Sequence, residues 1–172
     1  MRTAMRLNVS LLILAAMLSV WFYPQLPERL ASHFNASGEA DGWMTKDGFF
    51  LFYGLLLLLM FGMFAGITWM VRRFPVSMVN IPHREYWLAP ERREEAYAVL
   101  QRNMHRMSAA TLLFMNAMLL ISFRANFKQP PSLGSEAWIL MLLFLAGLAV
   151  LIVRLYQDFR LPRNGARGDA SN

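Results

Sequence analysis

Apolar residues gather in four long blocks, roughly 7–23, 49–71, 107–123 and 137–153, and none contains Asp, Glu, Lys, Arg or His. A helix rises about 1.5 Å per residue, so crossing a hydrocarbon core of ~30 Å takes about 20 apolar residues. The second block meets that length outright. The other three reach it with flanking residues such as Asn8, Ser108 or a snorkelling Arg154. The pattern predicts an all-α polytopic membrane protein: one transmembrane domain over 1–160 with four spans, then a disordered polar tail at 161–172. Arg2 and Arg6 before the first block resemble a signal peptide. The Trp21-Phe22-Tyr23-Pro24 exit carries no small-residue cleavage pattern, so the block reads as an uncleaved span.

Polar residues between the blocks set the expected orientation. The segments before the first span, between the second and third, and after the fourth carry 2, 7 and 4 Lys or Arg. Segments 24–48 and 124–136 carry two each, Arg29 with Lys46 and Arg124 with Lys128. Basic short loops stay in the cytoplasm, which predicts cytoplasmic termini, a cytoplasmic loop 72–106 and outer loops at 24–48 and 124–136. The net charge of +6 is thus a topology signal with some affinity for anionic lipid, and nucleic acid is not an expected partner. There is no Cys, which excludes disulfides and thiolate chemistry.

The outer loop, PQLPERLASHFNASGEADGWMTKDG, is the least generic stretch. Pro24 and Pro27 stop the helix. Ala36-Ser37-Gly38 and Asp41-Gly42 are turn chemistry, predicting a compact two-turn loop with a short extended piece at Ser32-His33-Phe34. Trp43 is expected at the headgroup level, and Thr45 or Asp47 as the cap of the second span. His33, Asn35, Glu39 and Asp41 could hold a cation or a polar group on a partner. Turn residues bonding to their own backbone explain them more simply, and no zinc-ligand spacing is present. In loop 72–106, Pro90 suits the first position of a helix, with Glu91, Glu94 and Glu95 at its positive end. That helix either lies along the inner membrane face or runs directly into the third span. His83, Glu85 and His105 do not form an HExxH pattern, and a solvated charged face accounts for them.

Inside the spans, Gly62 and Gly66 form a GxxxG pair, a device for close helix approach within the bundle or between two copies; internal packing is the leading reading. Asn116 is the most polar mid-span side chain and is expected to bond to a neighbouring helix. With no titratable acid, base or His at depth, a proton antiporter and an intramembrane protease are disfavoured. No catalytic constellation emerges, so neither an enzyme nor a cofactor is expected.

Pro27-Glu28-Arg29, His33-Phe34-Asn35, Gly38, Asp41-Gly42-Trp43 and Lys46 resemble the signature of a bacterial membrane family of unknown function. It is the domain found at the N-terminus of immunity proteins against the sporulation-delaying toxin. Asn80-Ile81-Pro82, Glu85-Tyr86-Trp87 and Pro90-Glu91-Arg92 are similar to its cytoplasmic loop, with His83 where that family often has Asn. The resemblance covers about 7–107 and implies a multi-span inner-membrane protein with no established chemistry. The expected function is recognition of a peptide, envelope component or partner protein by the outer loop, of the immunity or signalling type. The alternative is an assembly subunit bound through its helices, with a homodimer as one form.

Overall fold

The computed structural model describes residues 2–161, with side chains from Met5 onward; past Leu161, the expected tail lies outside the described residues. The chain is mostly helical, running α1 (Arg2–Phe22), β1 (Arg29–Phe34), β2 (Ala40–Thr45), α2 (Lys46–Val71), the single-turn α3 (Arg84–Trp87), α4 (Arg93–Asn126) and α5 (Ser135–Asp158). All but α3 among the helices are long and apolar enough to cross a membrane.

The bundle is organised around α4. Helices α1, α2 and α5 each pack on it, while α1 and α2 barely touch. Met104, Ser108, Leu112, Asn116, Leu119 and Phe123 are buried along one face of α4, at the three- and four-residue steps that stack side chains on a helix. Asn116 donates from Nδ2 to Leu11 O of α1 at 3.2 Å and to Leu112 O at 2.8 Å, so it ties α4 to α1 as expected. Asn8 of α1 does the reverse, donating to His105 O at 3.2 Å. At the hairpin end, Leu26, Leu30, Leu119 and Phe123 make a buried cluster. There the Phe123 ring meets Phe22 at 4.9 Å and Phe50 at 5.6 Å.

Four expectations need correction. The chain is not all-α: 29–45 forms an antiparallel hairpin of two six-residue strands rather than a two-turn loop. Asp41-Gly42 is not a turn but lies in β2, because a single turn at 35–38 reverses the chain and leaves this pair for an irregular register. Pro90 does not open a helix. It sits in a turn, and α4 begins at Arg93 and continues unbroken for 34 residues through the third span. Finally, Gly62 and Gly66 do not pack inside the bundle; a methyl group built on either would meet nothing within 4 Å. Their face of α2 points away from α4, which approaches α2 on the side of buried Leu57.

Loop 72–92 folds against the opposite end of the bundle. Trp87 and Leu88 pack with Val79, Ala96, Tyr97, Val99 and Phe159 in a second buried cluster. The Trp87 indole donates to Phe159 O at 2.8 Å, holding the loop to the end of α5. Nearby, Asp158 accepts from Asn103 at 2.9 Å and Arg102 at 3.3 Å, both on α4.

Candidate functional site

The hairpin and the residues that flank it, Pro27, Glu28 and Lys46, hold the whole first motif, and most of its residues bond to one another. Asn35 shapes the turn: its Oδ1 accepts from the Ser37 and Glu39 amides at 2.9 and 3.0 Å, and its Nδ2 donates to the Glu39 carboxylate at 3.1 Å. This is the Asx turn that Asn forms readily, and it completes the reversal for which Gly38 adopts φ +82°. A Cβ on Gly38 would come within 2.5 Å of Leu133 O. Glycine is therefore required twice, for its backbone angle and for the close approach of loop 127–134. Leu133 donates its N–H to Gly38 O at 2.8 Å, and Glu39 bridges to Ser132. The turn is thereby stitched to the segment before α5.

His33 and Asp41 face each other across the strands, with the imidazole Nδ1 hydrogen-bonded to Asp41 Oδ1. Gly42 stands opposite His33, where a Cβ would lie 2.8 Å from the His33 Cβ. The dipeptide that read as a turn instead makes room for the imidazole. Phe34 turns under the hairpin towards Met44 and α2. At the hairpin's base Lys46 is 8% exposed. Its ammonium bonds to Glu28 Oε1 at 2.8 Å and lies 4.8 Å from the Tyr23 ring centre, while the Lys46 amide donates to Glu28 O at 2.9 Å. Thr45 Oγ accepts from the Gly48 amide at 3.2 Å and caps α2. Of the two cap candidates it is Thr45 that acts; Asp47 accepts from the Tyr23 hydroxyl.

The residue that sequence reasoning missed is Asn126, the last of α4. Its amide is buried against β1, accepting from Ala31 N at 2.7 Å and donating to Ala31 O at 3.1 Å and to Ser122 O at 2.9 Å. An Asn amide carries the same donor and acceptor pair as a peptide, so Asn126 serves β1 as a one-residue third strand. An Asn ending an apolar span was the available signal.

After these commitments, the hairpin displays one free face. Arg29, His33, Asp41, Trp43 and Thr45 are exposed there, Trp43 at 45%. Trp43 stands on β2. Among the described residues no three His, Cys, Asp or Glu side chains converge; His33–Asp41 and Asn35–Glu39 are separate pairs.

The second motif folds at the other end of the bundle. Asn80, Ile81, His83, Arg84, Glu85 and Tyr86, with Leu161, line a polar cavity of about 550 Å³. Pro82 lies in the turn before α3. His83 takes the left-handed conformation, φ 51° and ψ 45°, which Asn, Asp and His tolerate better than most residues. Trp87 is committed to Phe159, and Arg92 lays its guanidinium 4.0 Å from the Tyr86 ring centre. Pro90 and Glu91 lie in the turn that leads to α4.

No curated protein and no solved structure matches the chain. Residues 10–57, running from α1 through the hairpin into α2, match a family model described as a domain of unknown function, DUF1648.

Proposed function

We propose that the protein is a non-enzymatic receptor of the bacterial inner membrane. In this reading its hairpin faces outward and recognises a peptide, an envelope component or a partner protein. What carries the proposal is the division of labour within the hairpin. Asn35, Gly38, Gly42, Lys46 and Asn126 hold the strands rigidly, while Arg29, His33, Asp41 and Trp43 are left on one free face. A preformed surface loses little freedom on binding, and Trp and Arg are the side chains most enriched at interface hot spots. Immunity and signalling are two outlets for such a receptor, with loop 72–92 as the surface that docks a cytoplasmic partner.

A photoreactive side chain at Thr45, in living cells, tests this reading. It should cross-link one specific partner, and Trp43→Ala with His33→Ala should lose that product while the protein remains in the membrane. Unchanged products from the double variant would overturn recognition by this face. The second reading, an assembly subunit held through its helices, is favoured by the open face at Gly62 and Gly66. Loss of a complex in Gly62→Ile/Gly66→Ile, with no effect of hairpin variants, would select it.

A further inference from the structure

Beneath the hairpin, between the strands and the adjoining ends of α2 and α4, lies a cavity of about 260 Å³. Its walls are mainly apolar, with Phe34 and Met44 from the strands, Phe49 and Phe52 from α2, and Met118 and Leu119 from α4. Three hydroxyl residues interrupt them: Ser32, Ser122 and Tyr53. The Tyr53 hydroxyl is shut off from solvent with no hydrogen-bond partner among the described residues, and neither serine hydroxyl is committed to a hydrogen bond among them. A hydroxyl left unpaired in an apolar setting costs about 1–3 kcal/mol; Tyr53 alone of the three is buried in this way, and with two partly accessible serine hydroxyls beside it the cavity suits an occupant that offers an acceptor.

We propose that this cavity is an acyl-chain site. It takes the carbonyl end of one chain from a lipid of the adjoining leaflet, whose ester oxygen accepts from the hydroxyls. Position argues for a lipid over other occupants. Phe52 at the rim is 57% exposed, and it continues a face of α2 on which Leu51, Leu55, Leu58 and Leu59 are also exposed. The cavity is therefore contiguous with the surface that the membrane reading gives to lipid. Size agrees. The volume exceeds the ~150 Å³ of an apolar cavity that holds benzene. It falls below the ~300 Å³ at which sites for drug-sized ligands begin. Part of an acyl chain fits, and the mainly apolar lining suits it better than a charged headgroup. The inference rests on the chain being in a bilayer and is independent of what the hairpin's free face recognises.

The test uses the intact protein in vesicles of phosphatidylethanolamine and phosphatidylglycerol, the latter carrying a diazirine in one acyl chain near the ester. After photolysis, peptide mapping should find adducts on Phe34 or Met44 as well as on lipid-facing Leu58. Ser122→Phe, which fills the cavity, should remove the hairpin adducts and leave those on Leu58. Tyr53→Phe/Ser122→Ala preserves the shape of the site while removing two donors. It should weaken hairpin labelling about fivefold for each hydrogen bond lost, and it decides the matter if Ser122→Phe unfolds the hairpin. Adducts confined to Leu58 would overturn the proposal. So would hairpin adducts undiminished in both variants, or a photoreactive residue at Met44 that captures a protein segment instead of lipid.

Discussion

Replacing Asn126 with Ala should release the hairpin from the bundle. Ala31 is fully buried, and its N–H and C=O both turn to the Asn126 amide, not to β2. Losing that partner leaves two buried backbone groups unsatisfied at about 1–3 kcal/mol each. The third bond, to Ser122 O, ends on a helix carbonyl and adds little. If water reaches the vacated space in part, about 3 kcal/mol remains, which corresponds to roughly a hundredfold rise in the population of the detached hairpin. Hydrogen exchange of the reconstituted protein reads this directly. The informative amides are those of Asn35, bonded to Glu39 O, and Lys46, bonded to Glu28 O, since neither touches Asn126. Both should exchange about a hundred times faster in Asn126→Ala, less so in Asn126→Asp, which keeps the acceptor for Ala31 N–H. Asn103→Ala, at the far end of α4, should leave them unchanged. Acceleration at Ala31 alone, with Asn35 and Lys46 within threefold of the wild type, would refute the idea that one amide holds the whole hairpin.

Three further outcomes are expected. Gly38→Ala imposes a left-handed cost of about 1–2 kcal/mol and a clash with Leu133 O, so it should part the turn from loop 127–134. A disulfide engineered between Glu39→Cys and Ser132→Cys should form readily in the Cys-free parent and poorly with Gly38→Ala added. Gly62→Ile/Gly66→Ile should leave the unfolding temperature of the detergent-solubilised monomer unchanged, because nothing occupies the space beside either residue; a clear loss of monomer stability would contradict the placement of that face. Cys introduced at Ser37 or Ser132 should react with an impermeant maleimide in whole cells, and Cys at Ser77 only after the membrane is opened. The reverse pattern would invert the proposed orientation.

The four spans were legible because length and apolarity are properties of a segment by itself, and a bilayer imposes both. The hairpin was not, because its strands break the two-residue alternation: Leu30 and Ala31 are consecutive and both buried, and the register shifts beside His33. Sequence marked Asn35, Gly38, Gly42 and Lys46 as special without saying that their duties are internal to the hairpin. That follows only once Asn126, 95 positions from Ala31 in the chain, and Leu133 arrive from elsewhere. Gly62 and Gly66 illustrate the same limit in reverse. Their spacing permits close packing, but which face of α2 meets a neighbour is decided by Leu57 and α4. Pro90 matched the preference for a first helical position, yet the turn it occupies runs on through Arg92.

The central place of α4 has a consequence for how the protein is made. Chains enter a membrane from the N-terminus, so α1 and α2 must wait in the lipid, scarcely touching one another, until the helix that joins them is synthesised. They are suited to waiting, for both are more apolar than α4. The late arrival is the helix that carries Asn116 and Asn126. Asn116 then finds the Leu11 carbonyl already in place, and Asn126 finds β1 already folded back from α1. Had α4 come first, its polar side chains would have entered hydrocarbon with no counterpart. For these two amides the order of the segments along the chain is also the order in which a partner can be met on arrival, whereas Asn8 of α1 waits for the His105 carbonyl and Asn103 for Asp158.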